Sequence, residues 1–359
     1  MSLSIGIVGL PNVGKSTTFN ALTNNHILAA NYPFATIEPN TGIVPVPDQR
    51  LAVLATMYGA QKIIPATVTF VDIAGLVAGA SHGEGLGNKF LHNIRECQAI
   101  VHVVRAFEND DILRHDEAPI NPHADIDIIT TELLLADIQT IEQRLPRLQK
   151  EAKADPRSRK KLTYLEQLLG ELQRGTPLST LDSLDDEAIH DLHLLTAKPF
   201  IYAFNVDEAG LTDTTLQNTL AQLVAPAQSL FICAKLEEEL QGLSATEASE
   251  LLADYGVTET GLAKLVRTAY HTLGLQSYLT AGPKEVRAWT IHKGWTAPQA
   301  AGVIHSDFER GFIAAQVISY DELVKAGSEA AARAAGKIRT EGKNYIMQPD
   351  DVVEFRFNV

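Results

Sequence analysis

The sequence predicts an α/β protein with a doubly wound, mainly parallel sheet, which is interrupted by a helical hairpin and followed by a small domain of strands and helices. Three observations predict this fold. A glycine-rich turn near the N-terminus lies between an apolar run and a helical segment. Further apolar runs of strand length follow along the chain, and leucines at helical spacing separate them. The predicted divisions are 1–124 together with 199–275 for the sheet domain, 125–198 for the hairpin and 276–359 for the last domain.

The composition indicates a globular protein of the cytoplasm. Of its 359 residues, 45% are hydrophobic and 21% are charged, which is ordinary for a soluble chain. No apolar run has membrane-spanning length and no signal peptide is recognisable, so we expect neither membrane contact nor export. The net charge of −14 argues against a general coat for nucleic acid, so contact with RNA requires a local basic patch. Cys97 and Cys233 lack metal-ligand spacing and are predicted to be buried and reduced.

The first element of the sheet domain is a phosphate-binding loop. An apolar strand at 5–8 leads into the segment GLPNVGKS at 9–16, which fits the pattern G-x-x-x-x-G-K-[ST]. Glycines let backbone N–H groups surround a phosphate, and the following helix adds the positive end of its dipole. Lys15 is expected to contact the β- and γ-phosphates and Ser16 to bind Mg²⁺, unless the segment is only a glycine-rich turn without a ligand. The predicted nucleotide contacts here are Asn12, Val13, Gly14, Lys15, Ser16 and Thr17.

Two later segments are expected to complete a Mg²⁺ site. Thr36 lies in a proline-containing loop about twenty residues after the lysine, where nucleotide switches place a second metal ligand. The strand at 66–71 ends in a D-x-x-G motif, in which Asp72 would hold Mg²⁺ through water and the Gly75 N–H would meet the γ-phosphate. The predicted metal ligands are therefore Ser16, Thr36 and Asp72.

A glycine-rich stretch, 79–87, follows this motif. It contains too much glycine to keep one conformation without a ligand, so it fits a switch that becomes ordered around the γ-phosphate. A flexible surface loop is the alternative.

Two leucine-rich segments between 125 and 198 predict an antiparallel helical hairpin. Apolar residues recur at spacings of three and four in both segments, as in helices that pack along one face. Pro146 is expected to kink the first helix. The tip at 150–161, KEAKADPRSRKK, is a basic cluster on an acidic chain. It is either a solvated turn or a contact for the phosphates of RNA.

The chain returns to the sheet domain with a buried strand that ends in the segment NVDE at 205–208. This is the position of the guanine-binding motif N-K-x-D, altered at two of its three diagnostic places. Val206 removes the lysine whose stem packs on the base, and Glu208 lengthens the acid, so guanine selectivity should be weakened or lost. A further strand ends near 233, where backbone amides would face the base, although any strand end could look like this. The predicted contacts on the base side are Asn205, Val206, Glu208, Cys233 and Ala234.

The last domain is predicted from its strand pattern. Segments 285–291 and 315–319 alternate as strands, and Thr296 begins a helix with proline in its first turn. Further strands are expected at 345–347 and 352–357. This order fits a small mixed β-grasp domain.

Segments 9–17, 31–42, 72–90 and 205–208 together resemble the YchF family of Obg-like ATPases, which are P-loop NTPases of the TRAFAC class, and the resemblance runs from end to end. It implies an OBG-type G domain, the inserted helical domain and a C-terminal TGS domain with the β-grasp fold. It also implies a monomeric, Mg²⁺-dependent nucleotidase that hydrolyses ATP in preference to GTP and associates with the ribosome or ribosomal RNA. Two alternatives remain. One is a translation-factor-like GTPase, and the other is a ribosome-binding or RNA-binding switch in which hydrolysis is only a reset step.

The group that activates the attacking water is open, because Leu76 stands where related enzymes have a glutamine. One replacement is K⁺, bound through Asn12, which would act like an arginine finger. A second is a histidine from a mobile loop, either His115, one residue beyond the family's histidine position, or His82. A third is a group supplied by a partner. The predicted catalytic residues are Lys15, Gly75 and His115.

Overall fold

The computed structural model describes residues 3–24, 40–73, 86–109 and 119–358. They form two compact units, Met1–Val44 with Thr69–Leu265 and Pro45–Val68 with Val266–Val359. This division differs from the predicted boundaries in two segments, 45–68 and 266–275. Residues 45–68, assigned from the sequence to the sheet domain, pack with the C-terminal strands, because Ile63 and Ile64 pair with a strand of that unit. The pairing spans more than two hundred residues of sequence, so no local pattern could indicate it.

The first half of the chain alternates strands and helices. Its elements are β1 (Ser4–Val8), α1 (Lys15–Asn24), β2 (Thr41–Pro45), α2 (Gln49–Tyr58), β3 (Ile63–Ile64), β4 (Thr67–Asp72), α3 (Leu86–Glu96) and β5 (Ala99–Arg105). The middle of the chain contains α4 (Pro122–Glu151), α5 (Pro156–Gln173), α6 (Asp186–Ile189), β6 (Phe200–Asn205), α7 (Thr214–Val224), β7 (Gln228–Ile232), α8 (Ala234–Glu239), α9 (Ala245–Asp254) and α10 (Gly261–Thr272). The last part contains β8 (Leu275–Ala281), β9 (Val286–His292), α11 (Ala297–Ile304), α12 (Ser306–Arg310), β10 (Phe312–Ser319), α13 (Tyr320–Ala326), α14 (Glu329–Ala334), β11 (Arg339–Glu341) and β12 (Asp351–Phe357).

The sheet of the first unit has the order β2-β4-β1-β5-β6-β7. Strand β1 pairs in parallel with β4 and β5, and β5, β6 and β7 continue the parallel pairing. Every residue of β5 is buried, as expected for a central strand covered on both faces. Parallel strands end at the same edge of a sheet, so the residues that follow β1, β4, β6 and β7 meet there. That edge is where ligands bind in open α/β sheets.

The predicted hairpin is present as α4 and α5, and α4 continues through Pro146 as a single helix. A buried carboxylate stabilises the base of the hairpin. Asp137 accepts hydrogen bonds of 2.8 Å from the backbone N–H groups of Leu195 and Thr196, and one of 2.7 Å from the Thr196 hydroxyl. Burial raises the Asp137 pKa, while these donors oppose that shift. None of the helices in the described part of the chain is long and apolar enough to cross a membrane.

The second unit has a mixed sheet in the order β11-β10-β12-β8-β9-β3. Its core lies against α11 and includes Tyr278, Ala300 and Val317. The strand predicted at 345–347 is wrong, since this segment forms only an isolated bridge between Ile346 and Thr296. Its backbone hydrogen bonds go to the turn that precedes α11 and to the first residue of that helix, rather than to a neighbouring strand.

Candidate functional site

The phosphate-binding loop connects β1 to α1 at the edge of the first sheet. Two residues of the loop have left-handed backbone angles, Asn12 with φ of 63° and Gly14 with φ of 93°. A β-carbon at Gly14 would collide with the side-chain amide of Asn205. Glycine is therefore required at position 14 by backbone conformation and by close approach.

Asn205 joins the phosphate-binding loop to the loop that follows β7. Its Nδ2 donates a 3.0 Å hydrogen bond to the carbonyl oxygen of Val13, and its Oδ1 accepts one of 3.0 Å from the Ala234 N–H. The side chain is buried. The amide predicted as a nucleotide contact is thus engaged by two backbone groups, so in this arrangement it positions the two loops.

Lys15 and Asp72 form an ion pair at the sheet edge, between the Lys15 Nζ and an Asp72 carboxylate oxygen. Lys15 begins α1 and Asp72 ends β4. The Asp72 backbone is fixed because its N–H donates to the Asn40 carbonyl oxygen at 2.8 Å. The predicted phosphate ligand and the predicted metal ligand therefore neutralise each other in this structure.

The side chains beside this ion pair fit Mg²⁺ by donor chemistry. The exposed Ser16 lies next to Lys15 in the first turn of α1, so a hydroxyl and the Asp72 carboxylate offer hard oxygen ligands, which Mg²⁺ prefers. Across residues 3–24, 40–73, 86–109 and 119–358, no group of three or more His, Cys, Asp or Glu residues could hold a metal. A metal at this edge would therefore need hydroxyl and phosphate oxygens besides Asp72.

The side chains of 206–208 differ in environment. Val206 is 2% exposed, and the Asp207 carboxylate accepts a 2.8 Å hydrogen bond from the Gly210 N–H. Glu208 Oε1 lies 2.7 Å from Nζ of Lys235. The hydrogen bond from Lys235 holds the pKa of Glu208 below its usual range.

One cavity of about 470 Å³ connects the phosphate-binding loop with the base side. Its volume is in the range of sites for small ligands. The structure therefore brings together two groups of predicted residues that lie almost two hundred positions apart. The predicted site residues that line the cavity are Asn12, Gly14, Thr17, Asn205, Val206, Glu208, Cys233 and Ala234.

The same cavity has lining residues that the sequence did not indicate. Arg105 contacts the loop after β5, because its Nε donates to the Phe107 carbonyl oxygen at 3.3 Å and its guanidinium lies 4.6 Å from the centre of the Phe107 ring. An arginine at the end of a mostly apolar strand is the signal that could have pointed to this loop. The lining residues missed are Phe107, Glu108, Asn109 and Glu238. Asp207 and Lys235 also line the cavity and lie in or beside the segments predicted for the base side, but neither was among the predicted contacts.

Several predicted residues lie outside the described residues. They include one predicted metal ligand, two predicted catalytic residues, and the two other positions linked to the activation of water. These residues are Thr36, Gly75, Leu76, His82 and His115.

Comparison with known proteins assigns the chain to a family. The YchF-GTPase_C family model, "Protein of unknown function (DUF933)", matches residues 275–358, and MMR_HSR1, "50S ribosome-binding GTPase", matches 4–141. A protein of Pasteurella multocida named "Ribosome-binding ATPase YchF" is 52% identical over the full length of both chains. The chain belongs to the YchF family. The Bacillus subtilis protein of the same name is 46% identical, again over both full chains.

Solved structures agree with this membership of the YchF family. The Schizosaccharomyces pombe YchF GTPase has a TM-score of 0.87 at 38% identity, covering 99% of this chain and 98% of that one. A GTP-binding protein from Pyrococcus horikoshii has a TM-score of 0.59 at 20% identity, covering 99% of this chain and 100% of the other, which shows the fold alone. The predicted family and α/β class are confirmed, with a P-loop domain and a C-terminal β-rich domain. The TGS assignment stays a prediction.

Proposed function

We propose that the protein is a Mg²⁺-dependent nucleotidase of the cytoplasm that binds and hydrolyses ATP in preference to GTP, as a monomeric, ribosome-associated switch. The proposed preference for ATP rests mainly on Glu208. It replaces the shorter acid of the guanine motif, and its carboxylate is bound to Lys235 at the cavity wall. The P. multocida and B. subtilis relatives carry the name "Ribosome-binding ATPase", which supports the proposal. The S. pombe structure is described as a GTPase, so base preference is the property to test.

The chemistry of the proposed reaction is positioning and charge stabilisation. Lys15 and the loop amides stabilise negative charge on the transferred phosphoryl group, and the Gly75 N–H contacts it. Ser16, Thr36 and Asp72 would hold Mg²⁺, which would supply positive charge beside the phosphate oxygens. Nucleotide binding requires the Lys15–Asp72 ion pair to open, because Lys15 must then contact phosphate.

The water-activating group is proposed from three alternatives. K⁺ bound through Asn12 would neutralise charge near the α- and β-phosphates. His115 or His82 would act as a mobile general base, and a ribosomal partner could supply the group instead. Without a partner, turnover should be slow, on the order of 10⁻⁴ to 10⁻² s⁻¹.

The hairpin tip is the proposed contact with ribosomal RNA. Within the described chain, Lys161 of the tip pairs with Asp191, and Arg147, just before the tip, pairs with Glu151. The other five cations of the tip are exposed and form no ion pair among the described residues. A cluster of this kind neutralises RNA phosphates. The five residues are Lys150, Lys153, Arg157, Arg159 and Lys160.

A competition assay tests the nucleotide choice. The full-length protein would be given ATP and GTP together with Mg²⁺, and the ratio of kcat/KM for the two would be measured. We expect ATP to be preferred, and the double change Val206→Lys with Glu208→Asp to move the ratio toward GTP. Glu250→Asp, an exposed acid on α9, is the matched control. A preference for GTP in the unmodified protein would reject the proposal in favour of the GTPase alternative.

A further inference from the structure

We infer that Lys235 is a specificity-determining residue, because its ion pair with Glu208 engages one of the two carboxylate oxygens that a guanine would need and thereby favours adenine over guanine. The inference rests on the proposed nucleotide-binding function of the cavity. It assigns a discriminating role to a side chain outside the altered motif.

The position of Lys235 is set by the loop that precedes it. Ala234 is anchored through its N–H to Asn205, so the lysine side chain starts from a fixed point at the beginning of α8. From there its Nζ reaches Oε1 of Glu208, which lies on the loop after the neighbouring strand β6. Both residues line the cavity. The ion pair therefore crosses from one base-side loop to the other.

Guanine and adenine present different hydrogen-bond donors to a carboxylate. Guanine presents its N1–H and 2-amino group side by side, and a carboxylate accepts both donors when both of its oxygens are available. Adenine presents a single 6-amino group. Because Oε1 of Glu208 already accepts from Lys235, a base donor at that oxygen must compete with the ammonium group. Adenine can bind through Oε2 alone, whereas guanine needs both oxygens, so this competition weakens guanine binding more.

Other acidic groups near the pair do not replace Glu208. Oδ1 of Asp207 accepts from the Gly210 N–H, and Glu238 and Glu239 lie on α8 after Lys235. The Lys235 side chain is 70% exposed, and exposed ion pairs contribute little. The expected change in selectivity is accordingly about threefold to fivefold rather than orders of magnitude.

The test compares binding of the β,γ-methylene analogues of ATP and GTP to full-length protein by calorimetry. Lys235→Met removes the charge but keeps an unbranched side chain. We expect it to lower the ratio of adenine to guanine affinity about threefold to fivefold, mainly through tighter binding of the GTP analogue. Lys235→Arg keeps a partner for Glu208 and should retain the ratio. Lys325→Met changes an exposed lysine of α13 and is the matched control.

The same Lys235→Met change, made in Glu208→Gln protein, distinguishes a role of Lys235 in base selectivity from a purely structural one. In Glu208→Gln protein, Lys235→Met should leave the ratio unchanged, because the pair is already absent. The inference would be overturned if Lys235→Met left the ratio of adenine to guanine affinity unchanged in protein with Glu208. It would also be overturned if Lys235→Met shifted the ratio equally in protein with Glu208 and in Glu208→Gln protein. If unmodified protein prefers the GTP analogue, the proposed ATP preference fails, while the change caused by Lys235→Met still decides whether Lys235 disfavours guanine.

Discussion

Nδ2 of Asn205 donates a 3.0 Å hydrogen bond to the carbonyl oxygen of Val13, 192 residues earlier in the chain. The bond makes the phosphate side and the base side of the cavity one structural unit. Asn205 therefore helps to hold the two sides in the arrangement in which one nucleotide can contact both.

Asn205→Ala should weaken binding of ATP and GTP by the same factor. The change leaves the Val13 carbonyl and the Ala234 N–H without their partner, a cost of about 1–3 kcal/mol, and it alters both loops whichever base is bound. Calorimetric titration with each nucleotide measures this, with the exposed Asn218→Ala on α7 as control. A selective loss of one nucleotide would mean that Asn205 contacts the base directly.

Asp72→Asn should change the Mg²⁺ dependence of ATP binding in two ways. The variant loses a metal ligand, so Mg²⁺ should strengthen ATP binding less than in unmodified protein. Lys15 also loses its ion-pair partner, so affinity for ATP in the presence of EDTA should rise. Titrations with and without Mg²⁺ measure both effects, and Asp254→Asn at the end of α9 is the control. Equal Mg²⁺ dependence in Asp72→Asn and unmodified protein would remove Asp72 from the metal site.

His102→Leu should stabilise the protein at acidic pH. His102 is 1% exposed in β5, neither ring nitrogen has a hydrogen-bond partner in the described part of the chain, and burial lowers its pKa to about 3. The unfolded chain, with the ordinary pKa of 6.5, binds the proton more readily between pH 3 and 6.5. Stability is therefore full above that window and falls by about 1.4 kcal/mol per pH unit as the pH drops through it.

Urea unfolding at pH 5 and pH 7.5 measures this effect of His102. At each pH, the free energy of unfolding of His102→Leu is compared with that of unmodified protein. This difference should favour the variant by about 2 kcal/mol more at pH 5 than at pH 7.5. The exposed His123→Leu on α4 should show no such gain. If the His102→Leu difference is the same at both pH values, His102 is not held neutral by burial.

Removing three cations of the hairpin tip should weaken binding to ribosomes in a salt-dependent way. The triple change Lys153→Ala, Arg157→Ala and Lys160→Ala removes exposed charges that can release counterions from RNA, so the slope of log affinity against log salt should decrease by about 0.7 to 0.9 for each lost phosphate contact. Sedimentation with ribosomes at several salt concentrations measures it. The control changes three exposed lysines elsewhere, Lys264, Lys325 and Lys343, to alanine. Unchanged affinity of the tip variant would exclude the tip as an RNA contact.

The phosphate-binding loop and the parallel sheet could be predicted because local sequence encodes both. Gly14 and Lys15 occupy fixed positions in a short pattern, and a central strand such as β5 is buried along its length and mostly apolar. The particular side-chain and strand contacts between distant segments could not be predicted. Glu208 meets Lys235 only after β6 and β7 have paired, and residues 45–68 join the C-terminal sheet through a two-residue strand. The segment 345–347 has strand-like residues, but its backbone bonds to the chain around the start of α11, which overrides local propensity.

The measurement that tests the central claim most directly is a calorimetric titration of nucleotide-free protein with ATP and with GTP in Mg²⁺ buffer, repeated with K⁺ replaced by Na⁺. We predict that ATP binds about tenfold more tightly, a difference of about 1.4 kcal/mol. A difference between K⁺ and Na⁺ would point to Asn12. Equal or tighter binding of GTP would contradict the account, because the NVDE motif at 205–208 would then still select guanine.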